Sequence, residues 1–159
     1  MRTAESTPRN PPSRVEAASL EDLPEMVQLL MELFETEGDF EPHYEKQEQG
    51  LRLILEQPSR GRILVLRGET ALIGMANLLF TISTAEGGLV VILEDLVIHP
   101  AHRRQGYGTQ LLNAVIDFAK QKNFKRITLL TDKISEESQR FFAQHDFGVS
   151  AMIPMRLRL

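Results

Sequence analysis

The stretch Glu94-Asp95-Leu96-Val97-Ile98-His99-Pro100-Ala101-His102-Arg103-Arg104-Gln105-Gly106-Tyr107-Gly108-Thr109 holds a strand end, a basic turn and a helix start in direct succession. The apolar run that begins at Leu89 ends at Pro100, two arginines and two glycines follow, and helical spacing sets in at Gly106. A helix that starts this way presents free N–H groups and the positive end of its dipole, which together favour phosphate. Glycine lets the backbone come close to a ligand, and Arg103 and Arg104 add full charges. Two nucleotide-binding patterns do not fit. No Gly-Lys-Ser/Thr follows, as a Walker loop requires, and Leu111 stands where the dinucleotide fingerprint has its third glycine.

Upstream, Ile63 to Leu66 and Ala71 to Phe80 are apolar runs rich in branched residues, separated by Arg67-Gly68-Glu69-Thr70, a hairpin pattern. Glu86-Gly87-Gly88 turns the chain into the run Leu89 to Ile98, so the middle of the chain is an antiparallel meander. Before it, Arg14 to Ala18 forms a short strand. Ser19 then caps a helix with Asp22 and Pro24 in its first turn and Leu23, Val27, Leu30 and Phe34 at helical spacing. Gly38 and Pro42 break that helix, and a second spans about His43 to Glu56.

Downstream, Gly106 to Lys122 is an amphipathic helix with Leu111, Leu112, Val115, Phe118 and Ala119 on one face. Ile127 to Leu130 is a buried-strand candidate, Ser135 opens a helix with Glu136 and Glu137 near its positive end, and Phe147 to Leu159 reads as short strands interrupted by Pro154. The order is β-αα-βββ-α-β-α-ββ: an α/β fold with a mixed, mostly antiparallel central sheet flanked by helices. Residues 1–13, with three prolines and no large apolar group after Met1, are expected to be a flexible N-terminal tail, and 14–159 a single domain.

Composition narrows the chemistry. The formal net charge is −4, which opposes bulk attraction to nucleic acid, even though Arg103, Arg104, Lys120, Lys122, Lys125 and Arg126 could form a local basic patch. With no cysteine, thiolate metal sites and an acyl-cysteine intermediate are excluded. His43, His99, His102 and His145 lack metal-ligand spacing, so no metal is expected. No apolar run reaches the length of a membrane span, and a cytoplasmic protein without membrane partners is expected.

On these residues the chain resembles the GNAT superfamily of N-acetyltransferases and is somewhat similar to its polyamine acetyltransferases. Its signature, a strand ending in Val-x-Pro-like residues, then Arg/Gln-x-x-Gly-x-Gly/Ala, then a helix, is met by Leu96 to Pro100 followed by Arg103 to Gly108. A second family segment, Asn-x-x-Ala-x-x-Phe-Tyr-x-x-x-Gly-Phe, is approximated by Ser135 to Phe147. The element order agrees from about Arg14 onward.

The resemblance implies an N-acetyltransferase in which an amine attacks the thioester of acetyl-coenzyme A directly. Arg103, Arg104, Gln105, Gly106, Gly108 and Thr109 would hold the pyrophosphate, and the backbone of Leu96, Val97 and Ile98 the pantetheine arm. Glu94 occupies the position of the family's glutamate base, and Asp95 faces the other side of the strand unless a bulge intervenes. The sequence departs from the family at Phe142, where many relatives have the tyrosine that protonates the leaving thiolate. Solvent, Tyr44 or Tyr107 would then supply the proton.

The implied acceptor is a small amine, and a homodimer is the family habit. Glu32, Glu35, Glu37, Asp39, Glu41, Glu45 and Glu48 against a lone Lys46 suggest that the amine is cationic. The alternatives are a non-catalytic module that binds acyl-coenzyme A, which Phe142 would suit, and acetylation of a protein amine.

Overall fold

The computed structural model describes residues 12–159 and divides into two compact units, one ending at Leu129 and one spanning Leu130–Leu159. Most of the expected tail, residues 1–11, lies outside the described residues. At its end, Ser13 donates its hydroxyl to Gln110 Oε1 at 3.2 Å.

The first unit runs β1 (Arg14–Ala17), α1 (Leu23–Thr36), α2 (Tyr44–Leu55), β2 (Gly61–Arg67), β3 (Leu72–Ser83), β4 (Gly88–Ile98), α3 (Tyr107–Gln121) and β5 (Ile127–Leu129). The sheet order is β1-β2-β3-β4-β5, antiparallel from β1 to β4 and parallel only between β4 and β5.

Local chemistry sets the helix starts. The backbone N–H of Ser19 donates to Asp22 Oδ2 at 3.0 Å, and Pro24 sits in the first turn of α1, where its missing N–H costs nothing. His43 is the cap of α2, its Nδ1 accepting from the Lys46 N–H. Asp22 is buried and takes a bidentate pair from Arg67, with both N–O distances 3.0 Å, which ties the head of α1 to the end of β2.

Helices cover both faces of the sheet. On one, Met26, Val27, Leu29 and Leu30 of α1 and Leu51 of α2 cluster with Ile63, Val65, Met75 and Val97. On the other, α3 buries Leu111, Leu112, Val115 and Ala119, and its Phe118 ring stacks on Phe80 of β3 at 6.0 Å. Each such fully buried aliphatic side chain contributes about 1.5–3 kcal/mol.

The second unit holds one helix, α4 (Glu136–Ala143), capped by the Ser135 hydroxyl, which accepts from the Ser138 N–H at 3.2 Å. Here the structure corrects the sequence reading: no strand forms between Phe147 and Leu159. The odd residues Val149, Ile153, Met155, Leu157 and Leu159 give the period-two pattern of a strand, yet all stand exposed. A strand needs a neighbour for its N–H and C=O groups, the unit contains no other strand, and Pro154 lacks a donor altogether.

Candidate active site

β4 carries the candidate residues, and its two edges are treated differently. On the β3 side it is paired along its whole length, Ser83 with Gly88 through Gly74 with Ile98. On the β5 side pairing covers only Val91 to Leu93. From Glu94 to Ile98 no strand of the described residues lies along that outer edge. An extended ligand with amide groups can therefore add to β4 there as another strand would.

The open edge leads straight to the start of α3. Ile98 is followed by a tight turn, Pro100–His102, in which His99 Nδ1 accepts from the Ala101 N–H at 3.1 Å. Arg104 and Gly106 both have positive φ, 60° and 84°, in the turn that leads into Tyr107. Gly106 caps α3 in the left-handed conformation that glycine adopts without strain. Tyr107 is buried and anchors the helix start against His102, with ring centroids 6.0 Å apart. The first N–H groups of α3 are left facing outward by helix geometry.

Arg103, Arg104, Gln105, Gly106 and Thr109 are exposed and Gly108 partly so. Arg103 Nε donates to the Ile98 carbonyl at 3.2 Å, and neither arginine has an ion-pair partner among the described residues. All six positions thus surround one helix N-terminus with two uncompensated charges, and an anion such as a pyrophosphate fits that chemistry.

The two carboxylates lie at the other end of the open edge, and the ladder explains their placement. Leu78 pairs with Leu93 but Asn77 with Asp95, so Glu94 is an extra residue in a β-bulge. Leu93, paired with Leu78, is on the α3 face; Asp95, paired with Asn77, is on the α1 face with Met75 and Val97. Counting forward from Leu93 puts Glu94 on the α1 face as well, so two successive residues share one side.

Their surroundings differ. Glu94 is exposed, whereas Asp95 is partly buried and accepts from Asn77 Nδ2 at 2.6 Å. Burial pushes the Asp95 carboxyl up to about 6, the Asn77 hydrogen bond pulling it down and the charge of Glu94 pushing it further up. Asn77 is 2% exposed, and its Oδ1 has no hydrogen-bond partner among the described residues. The Asn77–Asp95 pair escaped the sequence reading. The signal for it was a lone amide within the apolar run Ala71 to Phe80.

Of the candidate proton donors, Tyr107 is buried in α3 and Tyr44 is 36% exposed at the start of α2. In the second unit, Phe142 packs edge-on against Phe141 at 5.2 Å and Phe147 at 5.7 Å, a packing role that needs no hydroxyl. Among the described residues no helix is long and apolar enough to cross a membrane, and no three acidic, histidine or cysteine side chains are grouped to hold a metal.

Comparison with known proteins places the chain in a family. The chain is 33% identical over 64 residues to streptothricin acetyltransferase A of Bacillus subtilis (strain 168), covering 40% of this chain and 37% of that relative. The matched stretch is thus well under two thirds of the relative's length. The fold superposes on aminoglycoside N-acetyltransferase AAC(6')-Iy in complex with CoA, with a TM-score of 0.79 at 17% identity, over 96% of this chain and 99% of that one. It also superposes on the aminoglycoside acetyltransferase meta-AAC0020 from an uncultured soil metagenomic sample, in complex with sisomicin, with a TM-score of 0.74 at 19% identity, over 92% and 96% of the two chains. Residues 23–147 match the Acetyltransferase (GNAT) family as a whole. The chain therefore belongs to the acetyltransferase (GNAT) family.

Proposed function

We propose that this chain transfers the acetyl group of acetyl-coenzyme A to the primary amine of a small cationic acceptor. The observation that carries the reading is the open edge of β4 from Glu94 to Ile98, which runs from a carboxylate pair into the basic start of α3. The donor brings a thioester, an extended amide arm and a pyrophosphate. Leu96, Val97 and Ile98 line the open edge along which the arm would lie, and Arg103, Arg104, Gln105, Gly106, Gly108 and Thr109 hold the phosphates.

An amine attacks only when unprotonated, and a lysine-like amine holds its proton up to about pH 10.4. Glu94, exposed at the head of the open edge, is positioned to attract the ammonium and accept its proton, directly or through water. The acidic residues of α1, α2 and their connection supply the charge preference. Glu32, Glu35, Glu41 and Glu45 are all exposed, and a surface of one sign concentrates the opposite sign.

Two measurements test this. Acetyl-coenzyme A should bind the wild type in calorimetry and fail to bind Gly108→Trp, because an indole would fill the space before the helix start; unchanged affinity would move the site elsewhere. In a screen of amines, diamines and aminoglycosides should exceed amino acids in kcat/KM, with the advantage fading as salt rises, since exposed charges are screened within about 10 Å at 0.1 M. Equal rates for neutral amines at low salt would remove the cationic preference.

Phe142 supports a second reading, a module that binds acyl-coenzyme A without turning it over, since a phenyl ring has no proton to give a leaving thiolate. Binding without thiol release across the whole amine panel would favour it.

A further inference from the structure

We propose that Asp95, held by Asn77, is the resting place of the proton that the acceptor amine gives up, with Glu94 as the entry point. The inference rests on the acetyltransferase reading of the site and extends it inward from the exposed carboxylate to a buried one.

Three observations carry it. First, the bulge puts Glu94 and Asp95 on the same face of β4, which regular alternation forbids to neighbouring residues. Second, the two sit in different media. Glu94 meets water and can receive a cation, whereas Asp95 is partly buried on the α1 face beside the cluster of Met26, Val27, Met75 and Val97. A carboxylate in such a place gains more from protonation than an exposed one does.

Third, Asn77 is almost wholly buried, and only one half of its amide is used. Nδ2 donates to Asp95 Oδ2 at 2.6 Å while Oδ1 finds no partner among the described residues. An unused buried acceptor is costly. Turned over about its last bond, the amide would place Oδ1 where Nδ2 now lies and accept the O–H of a protonated Asp95. The same side chain thus serves both protonation states, as donor to the carboxylate and as acceptor from the acid.

Among the described residues no ion pair or charge shift from a cation falls on Asp95. Its charged neighbour is Glu94, and β3 faces it with the neutral Asn77. On α1, the Glu25 carboxylate accepts the Leu72 N–H and Glu32 and Glu35 are exposed; on α2, Glu48 pairs with Arg52 while Glu45 and Lys46 are exposed.

The balance is simple. The ammonium loses one proton to Asp95 by way of Glu94 or its water, which frees the nitrogen lone pair. The nitrogen–acetyl bond forms, the carbon–sulfur bond breaks, and the departing thiolate takes up the second nitrogen proton. Asp95 then returns its proton to solvent through Glu94. Asp95 can release it near neutral pH because its affinity lies between that of an ordinary carboxylate and that of an amine.

The test reads pH profiles and the carboxyl itself. In wild type, log kcat/KM for a diamine should carry an acidic limb centred near the Asp95 value of about 6. Asp95→Asn should lower kcat at least tenfold and remove that limb, with acetyl-coenzyme A affinity unchanged by calorimetry. Asn77→Ala should keep the limb but move its midpoint to higher pH, because the lost hydrogen bond favours the ionised form.

Independently of turnover, the carboxyl carbon resonance assigned to Asp95 should titrate near 6 in the protein alone, with the Asn77 side-chain amide protons shifting in step. The proposal is overturned if the limb survives Asp95→Asn at its wild-type midpoint, or if the Asp95 carbon titrates in the range of an ordinary carboxylate. A chain that binds acetyl-coenzyme A but acetylates no amine would refute the acetyltransferase reading instead, while the carbon titration would still decide whether Asp95 and Asn77 form the proposed pair.

Discussion

Asp95→Asn should make this protein more stable above neutral pH, and the structure sets both the sign and the size. Burial is the main reason the Asp95 carboxyl lies at about 6 in the fold rather than at its ordinary 3.8, with Asn77 opposing and Glu94 reinforcing the shift. The folded chain therefore binds this proton more tightly than the unfolded chain. Between about pH 4 and pH 6 it holds more protons, so stability falls as pH rises through that window and levels off above it. A shift of about two units corresponds to roughly 3 kcal/mol, a ceiling for a group with some access to water.

Asparagine keeps a polar group beside Asn77 without the charge. The variant should therefore gain about 2–3 kcal/mol on wild type between pH 4 and pH 8. Urea unfolding at half-unit pH steps measures the gap directly, and subtraction cancels the titration of every other group. A gap that stays constant across the range, or that closes as pH rises, would refute the assignment of a raised proton affinity to this residue.

Other perturbations follow from the same framework. Gly74→Ala would put a Cβ 2.6 Å from the Val97 carbonyl oxygen and 2.6 Å from Ile98 Cδ1, forcing β3 away from the stretch of β4 whose other side is the open edge. It should cost about 1–3 kcal/mol in thermal or urea unfolding and weaken acetyl-coenzyme A binding in calorimetry. Arg67→Met leaves buried Asp22 without its bidentate partner and should cost about 3 kcal/mol at pH 7. Burial alone would raise the Asp22 carboxyl, but the bonds from Arg67 and Ser19 outweigh it and hold the carboxyl below its ordinary value. That stability is present above the ordinary carboxylate range and lost as pH falls, so the difference between Arg67→Met and wild type should shrink in acid.

The sequence disclosed the features that are local and missed those that depend on a partner strand. The succession from Leu89 through Gly106 to Lys122 announces strand, turn and helix because alternation, glycine and helical spacing all lie within one short window, and β4 and α3 start and stop within a residue of that reading. The bulge could only be allowed for: nothing in Leu93-Glu94-Asp95 says that Leu78 pairs with the first and Asn77 with the third. Asp95 and Asn77 are 18 residues apart, and only the register brings them together. The last residues failed for the opposite reason. Their alternation from Val149 to Leu159 is a good strand pattern, but a pattern supplies no neighbour to pair with.

The bulge at Glu94 also bears on how this site could change over time. Every other residue of β4 keeps the face that an uninterrupted strand would give it, since Leu93 and Asp95 already alternate once Glu94 is left out. Glu94 is in that sense an inserted letter. Deleting it would restore a regular ladder and leave Leu93, Leu96 and Val97 where they pack, and deleting Asp95 instead would let Glu94 take its place opposite Asn77. Either carboxylate can be gained or lost without disturbing the two hydrophobic layers on the sides of the sheet. Charge at the head of the open edge can therefore vary among descendants of such a chain while the scaffold that presents it stays the same.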